Sequence, residues 1–418
     1  MKDLCPKLFS CIKSYTKEQF VKDIIAGIIV AIIALPLSIA LALASGVGPE
    51  EGLYTAIVAG FVISFLGGSR VQIAGPTAAF ASIVAGIVAA NGMSGLAIAT
   101  VMAGIILILM GVFRLGSLIR FIPHTITTGF TLGIAVTIAI GQVKDFMGLT
   151  FNHAPVETME KAAEVVNCIG TFNIEAFLIG MLSLAILIII PKFLKKIPPS
   201  LIAIIVSALV VGIFKINVNT IGDLYQISSA LPKFTMPDFS FDMIVKLLPD
   251  AFTIAILAGV ESLLSCVVAD GMIGDKHNSN MELIAQGAGN MASAFFGGIP
   301  ATGAIARTAA NIKNGGRTPV SGMVHAVLLL IILVVLMPYA SLIPMPTIAA
   351  ILFVVAYNMS EWRECLEIVK KSPVGDIIVL LLTFVLTVVF DLVVAICIGL
   401  VVAAVLYKVK FLRRQRNA

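Results

Sequence analysis

From Ile24 to Leu412 the chain returns repeatedly to apolar runs, many of them close to the roughly 20 residues that one helical crossing of a ~30 Å hydrocarbon layer requires. That repetition constrains the fold more than any other feature. Inside a bilayer no water pairs with backbone N–H and C=O groups, so each run must satisfy its own as a helix. Composition agrees: 59% of the 418 residues are hydrophobic and 12% charged, with a mean hydropathy of +1.07. A soluble chain carries about 25% charged residues. The expected class is an all-α integral membrane protein with one membrane domain over 24–412, preceded by a polar segment, 1–23, and followed by a basic tail, 413–418.

Crossings are expected at 24–45, 52–66, 76–90, 95–113, 123–147, 174–190, 199–214, 252–269, 281–297, 303–313, 318–337, 344–358, 374–390 and 393–411, about fourteen in all. Charge tests the count, because cytoplasmic connections carry the Lys and Arg excess. With Lys2, Lys7, Lys13, Lys17 and Lys22 inside, every second connection should be basic. Arg70, Arg114 with Arg120, Lys192 with Lys195 and Lys196, Lys276, Lys313 with Arg317, Arg363 with Lys370 and Lys371, and the tail from Lys408 to Arg416 follow that alternation. Both termini are therefore expected in the cytoplasm, with the protein in the plasma (inner) membrane. The cations lie between apolar runs rather than in an aromatic-laced patch, which argues against a nucleic acid partner. The six cysteines show no paired or metal-ligand spacing, and His124, His153 and His325 have no partners at metal spacing. No nucleophile–base set is present, so an enzyme is not expected.

Two short segments carry the chemistry. The third follows Gly75-Pro76, and the tenth follows Gly297-Gly298-Ile299-Pro300, with Gly303 just after. Proline favours a helix start and disfavours helix in the residue before it, so both helices should begin in mid-membrane after an extended stretch. Each is the third crossing of its half, the pattern of an inverted repeat with its ligand site at the repeat interface. Helix starts there would aim unpaired N–H groups and positive dipole ends at one cavity, which suits an anion. Thr77, Ala78, Gly303 and Ala304 are the first-turn positions expected to donate backbone N–H groups. Glu261 stands in the apolar run 254–264, where a carboxylate costs roughly 2.5–3.5 kcal/mol to insert. It is a candidate proton carrier, with Ser265 one helical turn later on its face; a buried hydrogen bond or an ion pair to Arg307 is the structural alternative. Arg307, one turn after Gly303, would set a positive potential for an anion, snorkel to water or neutralise Glu261. Asp270, Asp275, His277 and Glu282 read as a solvated cytoplasmic stretch.

At these residues the chain resembles the SulP sulfate permease family of anion transporters. The stretch from Pro49-Glu50-Glu51-Gly52-Leu53-Tyr54-Thr55-Ala56 to Gly67-Gly68-Ser69-Arg70 is similar to its signature. Ala74-Gly75-Pro76-Thr77, Gly297-Gly298-Ile299-Pro300 through Arg307-Thr308, and Gly315-Gly316-Arg317-Thr318 extend the likeness. The resemblance implies fourteen segments in two inverted repeats of seven. It also implies a core of segments 1–4 and 8–11 moving against a gate as an elevator, with the anion between the starts of segments 3 and 10. Leu37 and Leu41 fall where the family's first helix lines the site, and some members have Gln and Phe there. Sodium-coupled bicarbonate members carry Asp, Thr and Thr where this chain has Glu261, Ser265 and Ile305, which weakens a sodium site because a hard cation needs several oxygen ligands. The implied function is transport of sulfate, bicarbonate or a small dicarboxylate, proton-coupled through Glu261 and without a bound cofactor. A sodium-coupled bicarbonate symporter and an anion exchanger or channel stay open, and a nucleobase permease of similar architecture is least favoured. The family usually adds a cytoplasmic STAS domain, which the sequence to Ala418 does not include, and a homodimer is expected by analogy.

Overall fold

The computed structural model describes residues 4–117, 124–153, 155, 157–194 and 197–389, with 395, 398, 399, 401, 402 and 405 beyond them. The expected crossing 393–411, the tail 413–418, Cys397, Arg120, Lys195 and Lys196 lie wholly or largely outside the described residues. In chain order the helices are α1 (Lys7–Ile12), α2 (Lys17–Ala44), α3 (Pro49–Leu66), α4 (Ala81–Val112), α5 (His124–Met147), α6 (Thr158–Asn167), α7 (Ile174–Phe193) and α8 (Pro199–Phe214). They continue with α9 (Ile221–Leu224), α10 (Phe241–Ile273), α11 (Ser279–Phe295), α12 (Ile305–Lys313), α13 (Val320–Ala340), α14 (Met345–Met359), α15 (Trp362–Lys371) and α16 (Val374–Val389). Two two-residue strands, β1 (Ala74–Gly75) and β2 (Thr302–Gly303), pair antiparallel with Ala74 opposite Gly303 and Gly75 opposite Thr302.

Among the described residues seven helices are long and apolar enough to cross a bilayer alone. The nine-residue α12 is not, since it rises only about 13 Å. The expected third and fourth crossings form one hydrogen-bonded run in α4, but Gly92 within it takes φ 67°, a left-handed conformation that glycine adopts without a Cβ penalty, and separates 81–91 from 93–112. Helix α2 begins at Lys17, ahead of its apolar run, because Thr16 caps it by accepting from the N–H of Gln19 (3.2 Å). The short α6 and α15 lie in connections that the hydropathy pattern leaves unstructured, and α15 ends on Lys370 and Lys371, which favour a helix C-terminus.

The helices sort into two groups. Helices α2, α3, α4, α10, α11, α12 and α13 pack on one another, while α5, α7, α8, α14 and α16 form the second group. Helix α2 bridges them, touching α8 and α14 as well as α3 and α13. Leu178 and Ile188 on α7, Leu209 on α8 and Ile331 and Val335 on α13 are exposed. Apolar residues turned outward on crossing helices face lipid, which is as apolar as they are.

Connections of like charge character gather at the same end. At the basic end the N–H of Lys7 donates to Gly67 O (2.9 Å), Asn278 to Gly68 O (2.8 Å) and Gly116 to Asn280 Oδ1 (3.1 Å). Gln19 Nε2 reaches Gly315 O there (3.1 Å). At the opposite end Tyr54 Oη donates to Ala230 O (2.9 Å), Lys246 Nζ to Asn91 Oδ1 (2.6 Å) and the Ile221 N–H to Ile343 O (2.9 Å). A miscounted crossing would have mixed these two sets.

Candidate functional site

The interrupted segments meet at the centre of the first group. After α3 the chain bends through residues 68–71 and reaches the strand Ala74–Gly75, and Pro76 ends the pairing because it has no N–H to give. Thr77, extended at φ −129° and ψ 157°, precedes a 3-10 turn, Ala78–Phe80, that leads into α4. In the second half the extended stretch from Gly298 ends at Ala304, the N-cap of α12. Both glycines of the pairing sit against side chains that a Cβ would displace. A Cβ on Gly75 would meet Arg307 Nη1 at 2.5 Å, and one on Gly303 would meet Gln72 Nε2 at 2.0 Å.

Non-helical backbone at membrane depth survives only where protein satisfies it. Four side chains outside the expected site do so. The N–H of Ile73 donates to Thr308 Oγ1 (3.0 Å), and Asn311 Nδ2 donates to Val71 O (2.9 Å). Asn290 donates to Ala301 O and accepts from the Ala301 N–H, both at 2.8 Å. Glu282 accepts from the N–H groups of Gly68 (2.9 Å) and Ser69 (3.1 Å), from Gln72 Nε2 (3.0 Å) and from Gln286 Nε2 (2.9 Å). Glu282 is 1% exposed, so its assignment to a solvated stretch is corrected. The sequence does carry a signal for it. Glu282, Gln286, Asn290 and Ser293 recur at helical spacing, a polar stripe that faces the first half and is wholly buried.

The predicted site residues divide into three sets. Thr77, Glu261 and Arg307 come together: Thr77 Oγ1 donates to Glu261 Oε2 (3.1 Å), and both residues are half-buried. Arg307 is 3% exposed and does not snorkel. Its Nη2 donates to Pro76 O, and its buried Nη1 has no hydrogen-bond partner among the described residues. No ion pair joins Arg307 to Glu261, so the neutralising alternative is not the arrangement adopted.

The backbone donors are shifted from those expected. The N–H of Gly303 donates to Ser262 Oγ (3.0 Å), and that of Ala304 to Ile73 O (2.9 Å), so neither is free for a ligand. The strand pairing continues one residue beyond β2 and takes the Ala304 N–H, while Ser262 of α10 takes that of Gly303. The first intrahelical bond of α12 runs from the Thr308 N–H to Ala304 O (2.9 Å), which leaves the N–H groups of Ile305, Ala306 and Arg307 as the unpaired first turn. Ile305 and Ala306 are exposed. On the other half Ala78 heads the 3-10 turn and is 5% exposed, and that turn lies against α5 of the second group.

Ser265, Leu37 and Leu41 stand apart. Ser265 Oγ donates to Thr308 Oγ1 (3.4 Å) and is 1% exposed, so it packs α10 onto α12 rather than sharing an open face with Glu261. Leu37 lines a cavity of about 600 Å³ between the two groups, with Ile33 of α2, Leu187 of α7, Ser200 of α8 and Ile351 of α14. Leu41 is 4% exposed and sits in the apolar core, not on that wall.

A half-helix start, a buried arginine with an unpaired Nη1 and a half-buried carboxyl meet here, groups whose chemistry suits a small anion with an ionisable group beside it. The model of the sulfate permease family matches residues 20–383. The chain belongs to that family. It is 47% identical over 408 residues to the putative sulfate transporter YvdB of Bacillus subtilis (strain 168), covering 97% of this chain and 76% of that one. It is 34% identical to the bicarbonate transporter BicA of Picosynechococcus sp., covering 92% of this chain and 69% of that one. Among solved structures, the transmembrane domain of a cyanobacterial BicA superposes with a TM-score of 0.82 at 29% identity, over 91% of this chain and 98% of that one. The murine Slc26a9 anion transporter in its inward-facing state superposes with a TM-score of 0.88 at 19% identity, over 97% of this chain and 71% of that one, a likeness of fold. The fold is the all-helical inverted repeat expected from the sequence, and the family member is a multi-pass anion transporter, not an enzyme.

Proposed function

We propose that this family member is a proton-coupled carrier of a small oxyanion of the sulfate or bicarbonate type. The anion binds between Thr77-Ala78 and the first turn of α12, and the first helix group moves it across the bilayer by sliding against the second as an elevator. The observation that carries this reading is the pair of interrupted segments meeting at β1 and β2, with Arg307 buried beside the junction and Glu261 hydrogen-bonded to Thr77. Ala306 and Ile305 offer N–H groups and Arg307 a positive charge that no ion pair cancels, while Thr77 gives its hydroxyl proton to Glu261 and can turn it to an anion once that carboxyl is protonated. The relatives' names point to sulfate or bicarbonate as cargo.

Coupling follows from charge. An ionised Glu261 beside the site repels an arriving anion, and a protonated one does not, so anion and proton favour each other's binding; linkage makes this reciprocal. Sodium is disfavoured by the same residues. Ser265 spends its hydroxyl on Thr308, and the side chain of Ile305 offers no oxygen, so Glu261 is left with Thr77 where a hard cation needs several ligands. The basic end is assigned to the cytoplasm of the plasma membrane by the positive-inside rule.

Uptake of labelled sulfate and bicarbonate into liposomes, under separately imposed proton and sodium gradients, tests this function. An inward proton gradient should drive accumulation of at least one of the two, and a sodium gradient should not. Sodium-driven uptake that ignores protons would overturn the coupling.

A further inference from the structure

A second polar cleft lies at the basic end, away from the central site. It has a volume of about 670 Å³, within the range of small-molecule sites. Three separate pieces of chain build it: the polar face of α1, the connection after α4 at Ser117, and the connection from Lys276 into α11. Lys7, Lys13 and Lys276 all line it. Lys7 is engaged, with its Nζ 3.3 Å from Asp275 Oδ2, and Arg70 also approaches that carboxylate (3.7 Å). Burial raises the Asp275 carboxyl, but the N–H of Lys276 together with Lys7 and Arg70 outweighs this and holds it below the usual range, so it stays ionised. Asp275 therefore balances Lys7. Lys13 and Lys276 are exposed and have no hydrogen-bond or ion-pair partner among the described residues.

The remaining lining is rich in donors. Asn280 Oδ1 accepts from the Gly116 N–H (3.1 Å), which leaves its amide NH₂ as a donor, and Ser10 and Ser279 add hydroxyls. The other nearby acid, Asp270, is occupied by His277, whose Nδ1 lies 2.7 Å from Asp270 Oδ2. The cleft presents two uncompensated cations and several neutral donors, the recognition chemistry of a phosphate group.

The surroundings identify the source of that phosphate. Phe9 and Ile12, on the other face of α1, are 50% and 56% exposed, and Phe9 makes an edge contact with Phe65 of α3 (6.3 Å). Phe61 and Phe65 stack along the outer face of α3 and are themselves partly exposed. Helix α1 therefore has the layout of an interfacial helix, with apolar side chains turned to lipid and lysines at headgroup level. From this placement we infer that the cleft lined by Lys7, Lys13 and Lys276 binds the phosphate of an anionic phospholipid at the inner membrane surface. The inference shares with the proposed function only the assignment of the basic end to the cytoplasm.

Native mass spectrometry of the purified full chain in neutral detergent tests it, by titration with phosphatidylglycerol or phosphatidylcholine. The chain should retain phosphatidylglycerol in preference by about thirtyfold, as expected for two lysines near a lipid phosphate. The pair Lys13→Gln and Lys276→Gln should abolish the preference, the pair Lys13→Arg and Lys276→Arg should keep it, and the control pair Lys370→Gln and Lys371→Gln on α15 should leave it unchanged. No preference in the parent chain, or equal loss in the control pair, would overturn the site. Inorganic phosphate or glycerol phosphate bound as tightly, with no gain from the acyl chains, would overturn the lipid as its source.

Discussion

Two carboxylates are placed within the same helix group and live differently. Glu282 is fully buried and accepts four hydrogen bonds, three of which tie α11 to the chain after α3 and one of which comes from Gln286 on α11 itself. Glu261 is half-buried and accepts a hydrogen bond from Thr77, beside an arginine it does not pair with. A carboxylate satisfied from four directions is fixed in charge and position, because losing it orphans every donor at once. One held by a single hydroxyl can change protonation, or make room for another anion, at little structural cost. The first holds the fold together. The second is available for work.

The largest expected effect breaks the satisfied member. Glu282→Ala leaves the N–H groups of Gly68 and Ser69 and the amides of Gln72 and Gln286 without their acceptor, and should destabilise the protein by about 3 kcal/mol or more. Thermal unfolding in detergent reads this directly. Next is Arg307→Gln, which removes the charge from the junction and the donor to Pro76 O. It should reduce anion uptake by roughly 30-fold or more while the chain still folds. Gly75→Ala is smaller. Its methyl would meet Arg307 Nη1 at 2.5 Å, and displacing the guanidinium should cost about 1–3 kcal/mol and raise the anion concentration needed for half-maximal uptake several-fold.

The same contrast shows what a sequence discloses. Crossings, breaks and the membrane depth of Glu261 and Arg307 follow from hydropathy and proline placement, which act along the chain and are therefore legible in it. Glu282 reads as solvated because Asp270, Asp275 and His277 precede it, and local polarity says nothing about which neighbour buries a residue. The N–H group of Ala304 reads as free for a related reason, and so does that of Gly303, which is taken by Ser262, 41 residues earlier. Where the strand pairing ends depends on Ile73, more than two hundred residues earlier in the chain. Breakers position the helix start, but only the cross-repeat register decides which N–H groups are left over. The polar stripe through Glu282, Gln286 and Asn290 lies within one helix and is legible in principle. Thr308 and Asn311 stand three residues apart on α12, yet the backbone groups they satisfy, the Ile73 N–H and Val71 O, belong to the other half.

The central claim is that Glu261 can change protonation state where Glu282 cannot, and that this change governs anion movement. Its most direct test is Glu261→Gln, reconstituted in liposomes, with initial anion uptake measured across external pH from acid to alkaline. The substitution keeps the shape and mimics the protonated state. Uptake by the variant should become independent of pH and of an imposed proton gradient while downhill anion exchange persists. If the variant retains the pH dependence of the parent chain, the proton travels by another route and the contrast between the two carboxylates does not explain transport.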